Sequence, residues 1–231
     1  MRRLSVKLPR WIALAVATAM ATGAVAVSEV DDKKREGAGA AQRYYRLGQS
    51  EFSQGKTLDA IASLKRAIDL DPKLADAENY LGVIYLQQSD PQQAAKHLKR
   101  AVGINPYLTD AHNSLGVAYT ALKKYDRALE EFQTALKDKT YETPEKIYLN
   151  TGHLYLEQGK TDEAIKACKQ SVAINPKYVR GYYVLGMAYQ QEGQADLAAQ
   201  QFKKVVKLEP ESSEANQARQ QLEAKVKRSG S

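Results

Sequence analysis

Cysteine is almost absent from this sequence: Cys168 stands alone, so no internal disulfide framework can form. Long apolar runs are also lacking. Residues 12–27 form a stretch of 16, rich in alanine, short of the roughly 20 residues that a membrane-spanning helix needs. Net charge is small once its location is considered. The chain is formally +7, but Arg2, Arg3, Lys7 and Arg10 precede that apolar stretch with no acid among them, and the remainder carries only +3. A balance that weak does not support nucleic-acid binding, which needs a clustered basic footprint. The basic cluster Lys225, Lys227 and Arg228 reads more simply as a solvated helix end complementing the helix dipole.

Catalytic constellations are missing too. Gly55-Lys56-Thr57 and Gly159-Lys160-Thr161 resemble the end of a phosphate-binding loop, yet the earlier glycine that such a loop requires is Ser50 in one and Leu154 in the other, and neither follows a strand. His153 and Glu157 share a helix face at i, i+4, but no further ligand joins them at metal-binding spacing, and His97 and His112 fall elsewhere. Carboxylates are dispersed, so no enzyme activity, cofactor, metal or small-molecule substrate is expected.

What the chain does have is repetition. Gly48, Gly82, Gly116, Gly152 and Gly186 recur at spacings of 34, 34, 36 and 34, and Ala60, Ala94, Ala128, Ala164 and Ala198 recur at the same spacings. Leucine precedes four of the five glycines, Thr151 the other; Tyr85, Tyr119, Tyr155 and Tyr189 follow three residues later, with Glu51 in that place in the first repeat. Pro72, Pro106, Pro176 and Pro210 close all repeats but the third. A 34-residue period with these features is the tetratricopeptide signature, and the chain resembles that family. The resemblance implies an all-α solenoid of five helix-turn-helix repeats, 41–74, 75–108, 109–144, 145–178 and 179–212, wound as a right-handed superhelix. A capping helix over about 213–227 and a short tail to 231 close the chain, because a terminal repeat needs a more polar outer face.

Each helical glycine gives up about 0.8–1 kcal/mol relative to alanine. Close helix approach is the compensation, with Leu64, Leu98, Phe132, Cys168 and Phe202 in one equivalent slot on the second helices. Cys168 there reads as a buried small hydrophobe rather than a nucleophile. Gly55, Gly159 and Gly193 share a phase suited to a left-handed turn ending a first helix. Asp90-Pro91 reads as an N-cap and first helical residue, with Gln93 placed to complete a capping box. Asp71-Pro72, Asn105-Pro106 and Asn175-Pro176 end second helices.

Residues 1–26 have the basic start, apolar centre and Ala24-Val25-Ala26 cleavage site of a secretory signal, so export to the periplasm is expected, and residues 27–40 read as a flexible linker. A membrane anchor is the other reading of the apolar stretch.

With no chemistry evident, binding is the remaining role. The family resemblance implies that groove positions are the second, fifth, ninth, twelfth and thirteenth of each repeat. These supply Tyr45, Asn79, Asn113, Leu149 and Tyr183 at the fifth; Val83, Val117, His153 and Met187 among the ninth; and Phe52, Leu86 and Leu156 among the twelfth. Such side chains can bury a protein partner's apolar groups, and Asn79 and Asn113 can pair with an extended peptide backbone. For any one of them a place in the intramolecular core is the alternative. Asp76 and Asp110, at second positions, disfavour a clamp for a C-terminal carboxylate.

Two extra residues interrupt the period in the segment 137–145, where Thr143-Pro144 reads as a fresh helix start. This insertion is expected to alter helix stacking and to divide the groove between the third and fourth repeats. The same region narrows the resemblance. Thr143-Pro144-Glu145, Tyr148-Leu149-Asn150-Thr151-Gly152 and the ending Pro210-Glu211-Ser212-Ser213-Glu214-Ala215 are similar to type IV pilus biogenesis/stability proteins. That resemblance implies a pilotin-like partner of the pilus secretin at the outer membrane. Ala26-Val27-Ser28 contains no lipobox cysteine, so soluble periplasmic action stands beside lipid anchoring, and a periplasmic adaptor or chaperone-like peptide-binding module is the alternative function.

Overall fold

The computed structural model describes residues 37–229, with side chains to 224. The signal-like segment and the linker up to residue 36 lie outside the described residues. Eleven α-helices and no strand make up those residues. Helix α1 ends at residue 53. It is followed by α2 (Thr57–Leu70), α3 (Ala75–Gln87), α4 (Pro91–Ile104), α5 (Thr109–Ala121) and α6 (Tyr125–Ala135). Beyond the insertion come α7 (Pro144–Glu157), α8 (Thr161–Ile174), α9 (Val179–Gln191), α10 (Ala195–Leu208) and α11 (Ser213–Ser229).

The described residues form two compact units, one ending at residue 77 and the other beginning at residue 78. In the first, residues 37–40, expected above to belong to a linker, are already helical. Ala38, Ala40 and Ala41 favour a helix. Ala41 is fully buried, and a Cβ on Gly37 would lie 3.8 Å from the Leu70 carbonyl, so the start of α1 is docked beside the end of α2. The tyrosine slot, held here by Glu51, is occupied by a hydrogen bond instead: Ser63 Oγ donates to Glu51 at 2.6 Å.

In the second unit, α5 pairs with α6, α7 with α8 and α9 with α10, while α5, α7, α9 and α11 also pack on one another in sequence. The alanine ladder is enclosed between helices, with Ala94, Ala128 and Ala164 fully buried. Facing it, the helical glycines meet the large slot directly. A Cβ at Gly82 would lie 2.5 Å from Leu98, at Gly116 2.5 Å from Phe132, at Gly152 2.5 Å from the Cys168 sulfur and at Gly186 2.6 Å from Phe202. Cys168 is accordingly buried, and burial pushes its thiol up to about 12, which keeps it protonated and unreactive. Core residues gather in two clusters, one from Ala94 to Leu154 and one from Leu149 to Ala218, and α7 contributes to both. Helix α11 closes the second with Ala215 and Ala218, both fully buried.

Turns follow the repeat phase beyond the three glycines. Gly55, Gly159 and Gly193 have φ of 78°, 72° and 81°, and Ser89 and Lys123, at the same phase, take φ of 59° and 57°. At each, the next residue's N–H returns to the carbonyl five residues back, as in Lys124 to Tyr119 at 2.8 Å. The left-handed turn is therefore imposed by the helix pair, and Lys123 adopts it despite the steric cost of its Cβ. Lys123→Gly is expected to stabilise the fold by about 1 kcal/mol, since left-handed backbone costs a non-glycine residue roughly 1–2 kcal/mol and glycine's extra unfolded-state entropy offsets part of that. A urea melt with an unchanged or lower midpoint would show that the turn carries no strain.

The proline steps act as expected. Asp71, Asn105 and Asn175 are extended, with φ of −137°, −128° and −126°, and end α2, α4 and α8. Asp90 caps α4 by accepting from the Gln93 N–H at 3.0 Å. The reciprocal half of the capping box is replaced: the Asp90 N–H donates to the Tyr85 carbonyl at 2.9 Å, because the left-handed turn already claims it. Pro144 does open α7, but the Thr143 side chain makes no cap bond.

Candidate functional site

A concavity of about 450 Å³ lies along first helices of the second unit. Helix α5 supplies Val117 and Thr120, α7 supplies Asn150, His153 and Glu157, and α9 supplies Arg180. In the repeat these are sixth, ninth, twelfth, thirteenth and second positions, so one face of three successive first helices is brought together. The Asn150 amide donates to Asn113 Oδ1 at 2.9 Å, tying α7 to α5 beneath the opening. Burial, reinforced by the positive charge of Arg180, holds the His153 imidazole below its ordinary range against the opposing pull of Glu157. The neutral ring is then a donor and an acceptor at once. Ala121, Lys123 and Phe132 complete the lining, and a surface of two aliphatic residues, one aromatic, one hydroxyl, one amide, one imidazole, two cations and one carboxylate is suited to a polypeptide segment, whose backbone needs donors and acceptors and whose side chains vary.

The insertion does not divide this groove, contrary to the expectation from sequence: Val117 and Thr120 precede it, Asn150 and His153 follow it, and both pairs line one opening. The reason lies in where the extra residues go. Helix α6 stops after 11 residues, against 14 in α2, α4, α8 and α10, and the released chain folds back on the start of α5. Asp138 accepts from the Thr109 hydroxyl at 2.7 Å, and the Tyr141 hydroxyl donates to Asp110 at 2.5 Å. Burial and that carboxylate push the Tyr141 phenol up to about 12. The contact of α6 with α7 is smaller than those of α4 with α5 or α8 with α9, while α5 still packs on α7 as α7 does on α9.

The individual sequence candidates separate into groups. Val117 and His153 line the concavity. Tyr45 and Phe52 lie half-buried on α1, Tyr45 accepting at its hydroxyl from Gln49 at 3.0 Å. Val83 and Leu86 are half-buried on α3, Leu156 on α7 and Tyr183 on α9; Leu86 packs against one core cluster, and Leu156 and Tyr183 against the other. Met187 is exposed. Leu149 is a correction: it is 2 % exposed and belongs to the core cluster with Val179 and Tyr182 of α9. The asparagine pair is used differently in its two repeats. Asn113 Oδ1 accepts from Asn150, and Asn79 Oδ1 is shielded from solvent without a hydrogen-bond partner, so Asn79 does not present its amide oxygen to a peptide.

Asn150, Glu157 and Arg180 were missed as site residues. Glu157 and Arg180 stand at thirteenth and second positions, which the family pattern marks as groove positions, so their signal was present. Asn150 stands at a sixth position and carried no such mark.

Models for the tetratricopeptide repeat match residues 45–108, 85–140 and 179–212, and a TPR repeat model matches 152–193. The chain is a tetratricopeptide repeat protein. Small glutamine-rich tetratricopeptide repeat-containing protein 2 of Saccharomyces cerevisiae is 27% identical over 181 residues, 78% of this chain and 47% of its own length. Type IV pilus assembly protein PilF of Pseudomonas aeruginosa is 26% identical over 132 residues, 57% of this chain and 52% of its own. The chain thus spans about half the length of these two relatives. Among solved structures, that of PilW, a "widely conserved type IV pilus biogenesis factor", superposes with a TM-score of 0.68 at 24% identity, covering 80% of this chain and 92% of that one. Tetratricopeptide repeats are protein-interaction scaffolds, and this chain is built of them.

Proposed function

We propose that this protein is a non-catalytic scaffold of the bacterial cell envelope, exported by its N-terminal segment, that assists assembly of the type IV pilus outer-membrane secretin. The observation that carries the reading is the unbroken α5, α7 and α9 groove, with Asn150, His153 and Arg180 arranged to hold a polypeptide segment. The secretin reading draws support from the resemblance of Thr143-Pro144-Glu145 and the α7 motif to pilus biogenesis proteins, and from the PilF relative. Binding alone then performs the function: a groove that orders one segment of a subunit raises the effective concentration of its next contact without a covalent step.

Deleting the gene should leave secretin monomers where multimers form in its presence, on gels of unheated membranes. An Asn150→Ala, Arg180→Ala double variant, with unchanged melting, should reproduce that loss in part. Intact multimers in the deletion strain would refute the secretin role. Normal multimers in the double variant would refute this groove as the site.

A further inference from the structure

A second concavity, of about 630 Å³, opens on the other helix layer, between α4 and α6. Lys96, Lys99, Arg100, Lys124 and Arg127 line it, with no carboxylate among the lining residues. The chain beyond the signal-like segment carries only +3, so everything outside this one cleft is net −2. Among the described residues, Arg100 alone of the five makes an ion pair, at 3.5 Å from Glu78, and its side chain remains 53% exposed. The floor is apolar, formed by Ala95, Tyr119 and Leu122, and Arg127 stands 6.0 Å over the Tyr119 ring.

Lysines on other second helices do not create the same site. Helix α8 has Lys166 and Lys169 where α4 has Lys96 and Lys99, but the opposite wall there has Gln194 and Leu197 at the positions of Lys124 and Arg127. Only the α4 cleft among these two has cations on both walls. Lys96, Lys99 and Arg100 also stand at i, i+3 and i+4, a row about 6 Å long on one helix face. A row of separate cations matches several carboxylates in series better than one small anion, which a bidentate arginine fork would grip. The concave shape and aromatic floor exclude a flat lipid surface from the deepest contacts and admit a side chain.

We propose that the α4 and α6 cleft docks an acidic peptide segment of a protein partner, several Asp or Glu residues around an apolar or aromatic one. The site is separate from the α5, α7 and α9 groove, so the scaffold can hold two segments at once, and its failure would leave the groove reading untouched. Lys96, Lys99 and Arg100 are spaced over about 6 Å of helix rise, less than one Debye length at physiological salt, so they act on such a segment together.

The test uses the full chain and a fluorescent dodecapeptide of alternating Glu and Asp with one central Trp, measured by anisotropy across a salt series. Binding that weakens with salt is expected, with a loss of about tenfold or more in Lys96→Glu, Arg127→Glu. Lys99→Gln, Lys124→Gln should lose less, and Lys166→Glu, Lys169→Glu on α8 should lose little. Melting curves confirm that each variant is folded. Equal loss in the α8 variant would overturn the proposal by showing diffuse attraction. So would absent peptide binding together with sedimentation on phosphatidylglycerol vesicles, which would assign the cleft to a membrane surface.

Discussion

Phe132→Ala is expected to cost about 3–5 kcal/mol, and Gly116→Ala about 1–3 kcal/mol, although alanine is the better helix former by about 0.8–1 kcal/mol. The sign reversal at glycine is the informative part. A Cβ on Gly116 would stand 2.5, 2.6 and 2.8 Å from three carbons of the Phe132 ring, and the ring is 1% exposed, so the contact is relieved only by moving a packed side chain. Urea unfolding followed by circular dichroism measures both changes. Combining them closes the argument: in a Phe132→Ala background the ring carbons are gone, and Gly116→Ala should become neutral or stabilising, whereas a leucine in the slot would keep the clash, as Leu98 does against Gly82. The coupling should reach about 2 kcal/mol, within the range seen for residues in contact. Additive effects would mean that the glycine is present for some reason other than helix approach.

The same contact explains what was legible in the sequence. A residue type that is costly in a helix, repeated at fixed spacing, requires a compensating neighbour, and the neighbour's slot could be found by counting. That logic located Leu64, Leu98, Phe132, Cys168 and Phe202, all of which meet their glycines. It also located the left-handed turns where glycine marked them. Ser89 and Lys123 escaped, because their conformation is dictated by the packed helix pair and leaves no trace in the residue type. Polar pairs were equally hidden. Glu78 binds His97 at 2.6 Å, and one repeat later His112 binds Glu131 at 2.6 Å with the partners exchanged between first and second helices. The hydrogen bond to Glu131 raises the His112 imidazole against the lowering effect of burial. Position-by-position comparison of repeats conceals such a pair, since neither position keeps its residue while the interaction itself is kept.

The insertion shows the opposite limit. Its presence was plain, but its consequence depends on which helix yields. Two added residues could have displaced α7; instead α6 is shortened and the excess is tied to Thr109 and Asp110 of α5. A loop anchored on the preceding first helix leaves the next first helix in sequence with it, and the groove passes through the junction.

Leu149 gives the sharpest separation between core and groove. At the fifth position of its repeat it takes the place of Asn79, Asn113 and Tyr183, and its phase alone assigns it to the binding face. Unlike those three, it is 2% exposed, enclosed in the cluster that joins α7 to α9 and α10 through Val179, Tyr182 and Phe202. The short aliphatic chain stays below the surface, where a tyrosine would reach out of it. Leu149→Ala is therefore expected to cost about 2–5 kcal/mol, with a fall in melting temperature of roughly 5–15 °C for a chain of this size. Met187→Ala, at a ninth position and 37% exposed, should change stability by no more than about 0.5 kcal/mol. Thermal melts of the two variants decide the matter. Near-native stability in Leu149→Ala would return that residue to the groove. A large loss requires that any weakened partner binding in the variant be measured well below its melting point, because a solenoid transmits stability only between neighbouring repeats, and loosening α7 against α9 would deform the groove without removing any residue that touches the partner.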